Sequence, residues 1–382
     1  MQKGGPAGTL MGPRAVAPRV ERIPIFRPWL GPEEKAAVSQ VLDSGRLQQG
    51  ERVAAFEEAF RKVSGTDHAA AVASGSSALH LALHALRLKR SAYVHSSPLT
   101  YVSTGSAVAQ AGLRLSLSDI SLASYNLDDD HVERALEGDD AALLPVHLYG
   151  LPAPMDGLLE IAARRSLKVV EDCAQAVGAR YKGRPVGSMG DLGCFSFNTM
   201  KIVTTGEGGM VATNDEKLAA AVRVARDLGR RGKGYEFQEV GGNLRMSEVE
   251  AAIGIEQLKK LPASLERRRA NAAFYAERLK DLRGLALPME PPGLEHAWYQ
   301  YTVRVLGGKR EALRAHLDGE GIDTGVYYAM GLHELGIFEG VRHGQFGRCE
   351  MACREVLSIP VHPGIGPEQR ERVVAAVQGY FA

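Results

Sequence analysis

The chain has 382 residues, 45% hydrophobic and 24% charged, with 46 basic against 45 acidic side chains and a formal net charge of +1. That length allows two or three structural units around a large core. The even balance carries no basic footprint for nucleic acid or an anionic membrane, no apolar run approaches the roughly 18 residues of a membrane span, and small molecules and protein surfaces are the partners to expect.

Met1 to Arg22 is rich in Gly, Pro and Ala, lacks the apolar stretch of a signal peptide, and reads as a disordered leader. Pro32 to Ser44 has helical apolar spacing and ends at Gly45, a C-cap; Val53 to Val63 reads as a second helix. From Ala69 the pattern becomes short apolar runs between helices. AAAVAS is followed by a helix from Ser76 to Leu88, AYVHSS by a helix near Val102 to Ala111, and then comes the strand-like LRLSLSDI. Ala141 to Val146 and Leu167 to Glu171 continue the strands, with a helix from Leu158 to Arg165 between them. Strands alternating with helices predict an α/β fold with a mostly parallel sheet covered on both faces, whose strand ends are where ligands bind.

A long helix from Ser247 to Arg278 leads to the Gly/Pro-rich stretch Gly284 to Gly293, and YQYTVRVL, EALRAHLDGEG and a last helix from Pro367 to Tyr380 predict a smaller α+β unit. The expected organisation is a leader (1–22), a large domain (23–262) and a small C-terminal domain (263–382). Four cysteines, Cys173, Cys194, Cys349 and Cys353, are too sparse for a disulfide framework and fit a reduced, cytoplasmic setting. Cys349 and Cys353 have no second Cys or His pair at ligand spacing, so no metal site is expected.

Val169 to Gly209 holds an acid, a hydroxyl and a lysine in the order that pyridoxal 5′-phosphate (PLP) chemistry uses. Such an enzyme needs a lysine amine that can lose its proton and condense with the aldehyde, which Lys201 offers. It needs a carboxylate to keep the pyridine nitrogen protonated, which Asp172 offers at the end of a strand. It also needs backbone N–H groups for the phosphate, and Ser74 to Ser77 (SGSS) stands where a strand gives way to a helix. Taken singly, Lys201 is one lysine among many, Asp172 and the SGSS turn read equally well as helix N-caps, and His147 in HLYG suits a structural hydrogen bond better than acid–base work.

Order and spacing together change that reading. SGSSALHLAL (Ser74 to Leu83), PVHLYG (Pro145 to Gly150), Glu171 to Phe197, MKIVTTGEGGMV (Met200 to Val211), Gly241 to Leu258 and VLSIPVHP (Val356 to Pro363) resemble the DegT/DnrJ/StrS-type sugar aminotransferases, from about Ile23 to the C-terminus. The resemblance implies PLP fold type I, with a mostly parallel seven-stranded sheet between helices. Carried over by motif, it makes Lys201 the Schiff-base lysine and Asp172 the partner of the pyridinium nitrogen. Gln175 becomes a contact near the phenolic oxygen, Ser196, Ser76 and Ser77 phosphate ligands, and Tyr101 the ring that stacks on the pyridine. Asn243 would reach the phosphate of a neighbouring subunit, implying a homodimer with reciprocal sites. Tyr327 and His333, in VYYAMGLH, would lie near the substrate, although Ala329 and Gly331 replace the family's prolines there, and Arg245 would suit a substrate carboxylate or phosphate.

The function so implied is amino transfer from glutamate or glutamine to a keto sugar, nucleotide-linked at the 3- or 4-position, in amino-sugar or antibiotic biosynthesis. The alternatives are a keto-cyclitol acceptor such as a scyllo-inosose, a PLP-dependent sugar dehydratase, against which the presence of Lys201 speaks, and a PLP-binding regulatory protein with little turnover.

Overall fold

The computed structural model describes residues 21–382 except 233, 339 and 343. Of the expected leader, residues 1–20 lie outside the described residues; Arg22 is ion-paired with Asp318 and Asp323.

Two helices lead in. α1 (Pro32–Ser44) carries proline in its first turn and stops where Gly45 takes φ 64°, a left-handed cap that glycine adopts at least cost. α2 (Glu51–Ser64) follows, and the chain then alternates as β1 (His68–Val72), α3 (Gly75–Ala85), β2 (Tyr93–Ser96), α4 (Val102–Gln110), β3 (Arg114–Leu117), α5 (Asp129–Ala135), β4 (Asp140–Leu144), α6 (Met155–Arg165) and β5 (Lys168–Asp172). Next come the two-residue strands β6 (Arg180–Tyr181) and β7 (Arg184–Pro185), then β8 (Leu192–Ser196), β9 (Gly209–Thr213), α7 (Glu216–Arg226) and α8 (Glu248–Leu279). The last third contains β10 (Leu285–Ala286), β11 (Leu294–Glu295), β12 (Tyr301–Val305), α9 (Arg310–Gly319), α10 (Gly347–Glu355), β13 (Val356–Ile359) and α11 (Pro367–Phe381).

Seven strands form the main sheet in the order β1-β9-β8-β5-β4-β2-β3. The pairs from β8 to β3 are parallel, while β9 runs antiparallel to both β1 and β8. Alternating side chains bury both faces, as a sheet covered on each side requires. Ala70 and Val72 of β1 pack with α3 and α4, and Ala69 and Ala71 of the same strand pack with Phe56 and Phe60 of α2 and Leu258 of α8. A second sheet, β10-β12-β13, has its own core with α9, α11 and the C-terminal half of α8, into which Ile23 also packs. β11-β6-β7 form a small third sheet.

Because β1 and β8 both oppose β9, they run in the same direction as β5, and the carboxyl ends of β1, β5 and β8 lie along one edge. The cleft opens there, as it does in other open α/β sheets.

Candidate active site

A cleft of about 560 Å³ is lined from five directions. Ser74, Gly75 and Ser76 follow β1, Tyr101 and Thr104 stand at the start of α4, Asp172 ends β5 and Gln175 follows it, Ser196 ends β8 and Asn198, Met200 and Lys201 follow it, and Tyr299, Gln300, Tyr327 and Tyr328 come from the last third of the chain.

Ser74 caps α3, and its side chain accepts from the N–H of Ser77 at 3.1 Å. The hydroxyl of Ser77 also lies on Ser74, at 2.9 Å, so Ser77 serves the cap and is not part of the cleft lining. The other first-turn N–H groups have no intrahelical partner and, with the positive end of the helix dipole, face the cleft as an anion site. Gly75 is needed there for close approach, since a Cβ would stand 2.6 Å from that of Ser196. The absence of a side chain draws the end of β8 against the helix mouth and sets Ser196 beside it. Ser76 donates to the hydroxyl of Ser103 at 2.7 Å.

Asp172 ends β5, buried, and is not an N-cap. Oδ1 accepts from the N–H of Ala174 at 3.1 Å and Oδ2 from the hydroxyl of Thr104 at 2.9 Å. Burial raises its pKa, with the Ala174 and Thr104 hydrogen bonds and the charge of Lys201 opposing. A ring cation placed against it would reverse that penalty, since an opposite charge favours the ionised form. Lys201 lies on the loop after β8, its N–H donating to the carbonyl of Asn198. Desolvation pushes its amine down to about 8, against the pull of Asp172. An amine so placed is neutral often enough near physiological pH to act as a nucleophile or base.

Tyr101, 58% exposed, presents its ring to the cleft, 6.0 Å from that of Tyr328. The amide of Gln175 is already committed: its Oε1 accepts from the N–H of Tyr149 at 2.8 Å, and its Nε2 donates to the Tyr328 hydroxyl at 3.0 Å. It therefore fixes Tyr328 as well as facing the cleft. Tyr327 lines the cleft, and its carbonyl accepts from the buried hydroxyl of Tyr149.

Three further expected residues lie elsewhere in the same chain. His333 sits outside the lining, its ring 4.5 Å from that of Phe346 and its Nε2 3.7 Å from Glu350. Arg245 is ion-paired with Asp227, and Asn243 forms a bridge to the same Asp227; neither reaches the cleft of its own chain.

His147 is held in a hydrogen-bond hub behind the cleft. Its Nδ1 accepts from the N–H of Ala153 at 2.9 Å, leaving Nε2 to donate to Glu171 at 3.0 Å. Glu171 also accepts N–H bonds from Gly187, Met189 and Gly190. His147, Glu171 and Cys173 are close enough to hold a metal ion, but these bonds occupy the lone pairs a metal would take. The four cysteines are buried free thiols. Among the described residues, no helix is long and apolar enough to cross a membrane.

The residues fit PLP. The helix mouth and Ser196 would hold the phosphate, Asp172 the ring nitrogen, Tyr101 one ring face and Lys201 the aldehyde carbon. Sequence reasoning missed Thr104, Ala174, Tyr299 and Gln300. Thr104 stands three positions after Tyr101, one helical turn along, and that spacing was the available signal. Tyr299 and Gln300 arrive from a distant segment and carry no local sign.

Comparison with known proteins gives concordant matches. The model of the DegT/DnrJ/EryC1/StrS aminotransferase family matches residues 28–378. The dTDP-3-amino-3,4,6-trideoxy-alpha-D-glucose transaminase of Streptomyces venezuelae is 39% identical over 373 residues, covering 96% of this chain and 98% of that protein. The pleiotropic regulatory protein of Geobacillus stearothermophilus is 36% identical over 357 residues, covering 92% and 95%. The crystal structure of S. venezuelae DesV in complex with a ketimine intermediate is similar with a TM-score of 0.90 and 38% identity, covering 94% of this chain and 99% of that one.

Proposed function

The chain belongs to the DegT/DnrJ/EryC1/StrS aminotransferase family, and from that premise we propose that it moves an amino group from glutamate or glutamine onto a nucleotide-linked 3- or 4-keto sugar. As a member of that family it is a PLP-dependent sugar aminotransferase of fold type I. The nucleotide linkage is carried from relatives such as the dTDP-sugar transaminase of S. venezuelae and the GDP-perosamine synthase of Caulobacter vibrioides, 35% identical over 363 residues. The observation that carries the chemistry is the convergence on one cleft of Lys201, its amine pushed down to about 8, the buried carboxylate of Asp172, and the N-terminus of α3.

When bound, PLP supplies an electron sink for the carbanion that forms at the donor's α-carbon. The protein's part is to place and move protons. Lys201 Nζ is placed to act as the base that would take the α-proton of the donor and carry it within the cleft, and the same amine would serve the reverse proton movement on the keto-sugar side. Asp172, ionised against the ring cation, would keep the proton on the ring nitrogen. The α3 N-terminus would anchor the phosphate, and Tyr101 would lie against one face of the ring.

Asn243 and Arg245 are proposed to complete the site of a second copy in a C2 dimer. Two observations support this. Among the described cleft residues Lys201 is the sole cation, although a phosphate dianion and an amino-acid carboxylate must bind. The segment leading to Asn243 also exposes Tyr235 and Val240, 95% and 93%, apolar surface that a partner would cover. Light scattering should give twice the chain mass, and Asn243→Ala should weaken cofactor retention without changing that mass.

Incubation with glutamate or glutamine and a panel of nucleotide-linked keto sugars should release 2-oxoglutarate, or its amide, in step with an amino sugar. Turnover confined to keto-cyclitols would replace the acceptor. Cofactor binding without turnover of any acceptor would favour the regulatory reading, which the Geobacillus relative's name motivates.

A further inference from the structure

Lys201 Nζ lies 4.9 Å from the centroid of the Tyr299 ring, over its face. That is within the roughly 6 Å over which an aromatic face attracts a cation. Among the described residues, no carboxylate stands within ion-pair distance of this amine and it donates no hydrogen bond, so the ring is its direct partner. The ring itself is held firmly. Arg268, 5% exposed, donates from Nη1 to the carbonyls of both Trp298 and Tyr299 at 3.1 Å, and the segment is tied on either side by Ala297 N–H to Gly150 and Gln300 N–H to Tyr149. Arg268 has no carboxylate partner among the described residues, and its Nε has no hydrogen-bond partner. Burial pushes it down to about 10. An unpaired buried guanidinium is costly, and here its hydrogen bonds go to the two carbonyls that fix Tyr299.

We propose that Tyr299 is a positioning residue for Lys201: its ring face holds the lysine's ammonium whenever the amine is free of covalent attachment, and Arg268 keeps the ring in place. The inference rests on Lys201 being the lysine that bonds the cofactor. In each half-reaction that amine is released, and a four-carbon stem free to swing would lose the alignment that proton transfer needs. The ring face gives the cation one place to rest, within the cleft and on the lysine's own side. It also opposes the desolvation that lowers the amine's pKa.

The test reads the titration of Lys201 in the full-length chain freed of cofactor. Labelling by trinitrobenzenesulfonate is followed at Lys201 by peptide mass spectrometry across pH, with circular dichroism reporting the fold. Wild type should show a midpoint near 8. Tyr299→Phe, which keeps the face, should match it. Tyr299→Leu and Tyr299→Met, which remove the face, should lower the midpoint and speed labelling at pH 7 by about threefold to tenfold. Arg268→Met should move it in the same direction. Unchanged titration in whichever of the Tyr299→Leu and Tyr299→Met variants folds would overturn the proposal, as would Tyr299→Phe shifting as far as they do. An unmoved Arg268→Met would remove Arg268 from it. Labelling needs no amino transfer, so these outcomes stand apart from whether the enzyme aminates a sugar.

Discussion

Glu171 and Asp172 are neighbours on one strand, both buried, and the fold treats their carboxylates in opposite ways. Glu171 points behind the sheet, where His147 and three backbone N–H groups satisfy it and hold its pKa below the ordinary value despite burial. Asp172 points into the cleft with one hydroxyl and one N–H, and burial holds its pKa above the ordinary value. The strand's period of two sends adjacent side chains to opposite faces. A carboxylate with its hydrogen bonds complete stabilises the fold; one left short is poised for a cation that arrives with the cofactor.

The largest effect should come from Lys201→Ala, which removes nucleophile and proton carrier together and should lower kcat by about a thousandfold or more while leaving Asp172 and the fold intact. Asp172→Asn should follow, with about a hundredfold loss of kcat, because a neutral amide cannot hold the ring's charge. Its sharper signature is in stability. With a raised folded-state pKa, the cofactor-free chain binds more protons than the unfolded chain above the unfolded value, so this group's contribution falls as pH rises through that window. Asp172→Asn should therefore raise the urea midpoint of the cofactor-free protein at pH 7. Glu171→Gln should do the reverse. Its amide nitrogen would face N–H donors, costing about 2–4 kcal/mol in urea unfolding, while kcat per folded molecule stays near wild type. The lowered pKa of Glu171 makes its contribution present at neutral pH and lost as pH falls below about 4.5. If both substitutions moved stability in the same direction, the contrast between the two carboxylates would fail.

Much of this was legible in the sequence, for physical reasons that differ by residue. The Asp172 strand is an apolar run buried on both faces, and Gly45 ends α1 as its position suggested. The antiparallel β9 was not legible, because an isolated run such as GMVAT carries no sign of its direction. α3 ends at Ala85, short of the expected Leu88, and Arg87 takes φ 50° just beyond it. Lys201, Asp172, Ser196 and Ser76 line one cleft, whereas the packing of His333 on Phe346 depends on a segment that local motifs do not announce. The glutamate hub was hidden because backbone N–H groups carry no side-chain signature, and Glu171 looked like one more residue of a motif.

Thr104 offers the finest test of the contrast. Its hydroxyl donates to Oδ2 of Asp172 and stands 2.9 Å from that of Thr100, so the pair orients one hydrogen at the carboxylate. Thr104→Val keeps the shape of this buried position and deletes that donor. Asp172 then accepts only from Ala174, its pKa rises further, and a larger share of the cofactor-free chain carries it protonated. A hydrogen bond to a charged group contributes about 1.5–3 kcal/mol, but the ring cation compensates part of that loss once it is bound. The expected result is a kcat lowered by about fivefold, with the acid limb of the kcat/KM profile displaced to higher pH. The displacement is the decisive readout, since a packing defect would lower kcat without moving the limb. An unmoved limb would mean that the cofactor's charge alone sets the ionisation of Asp172.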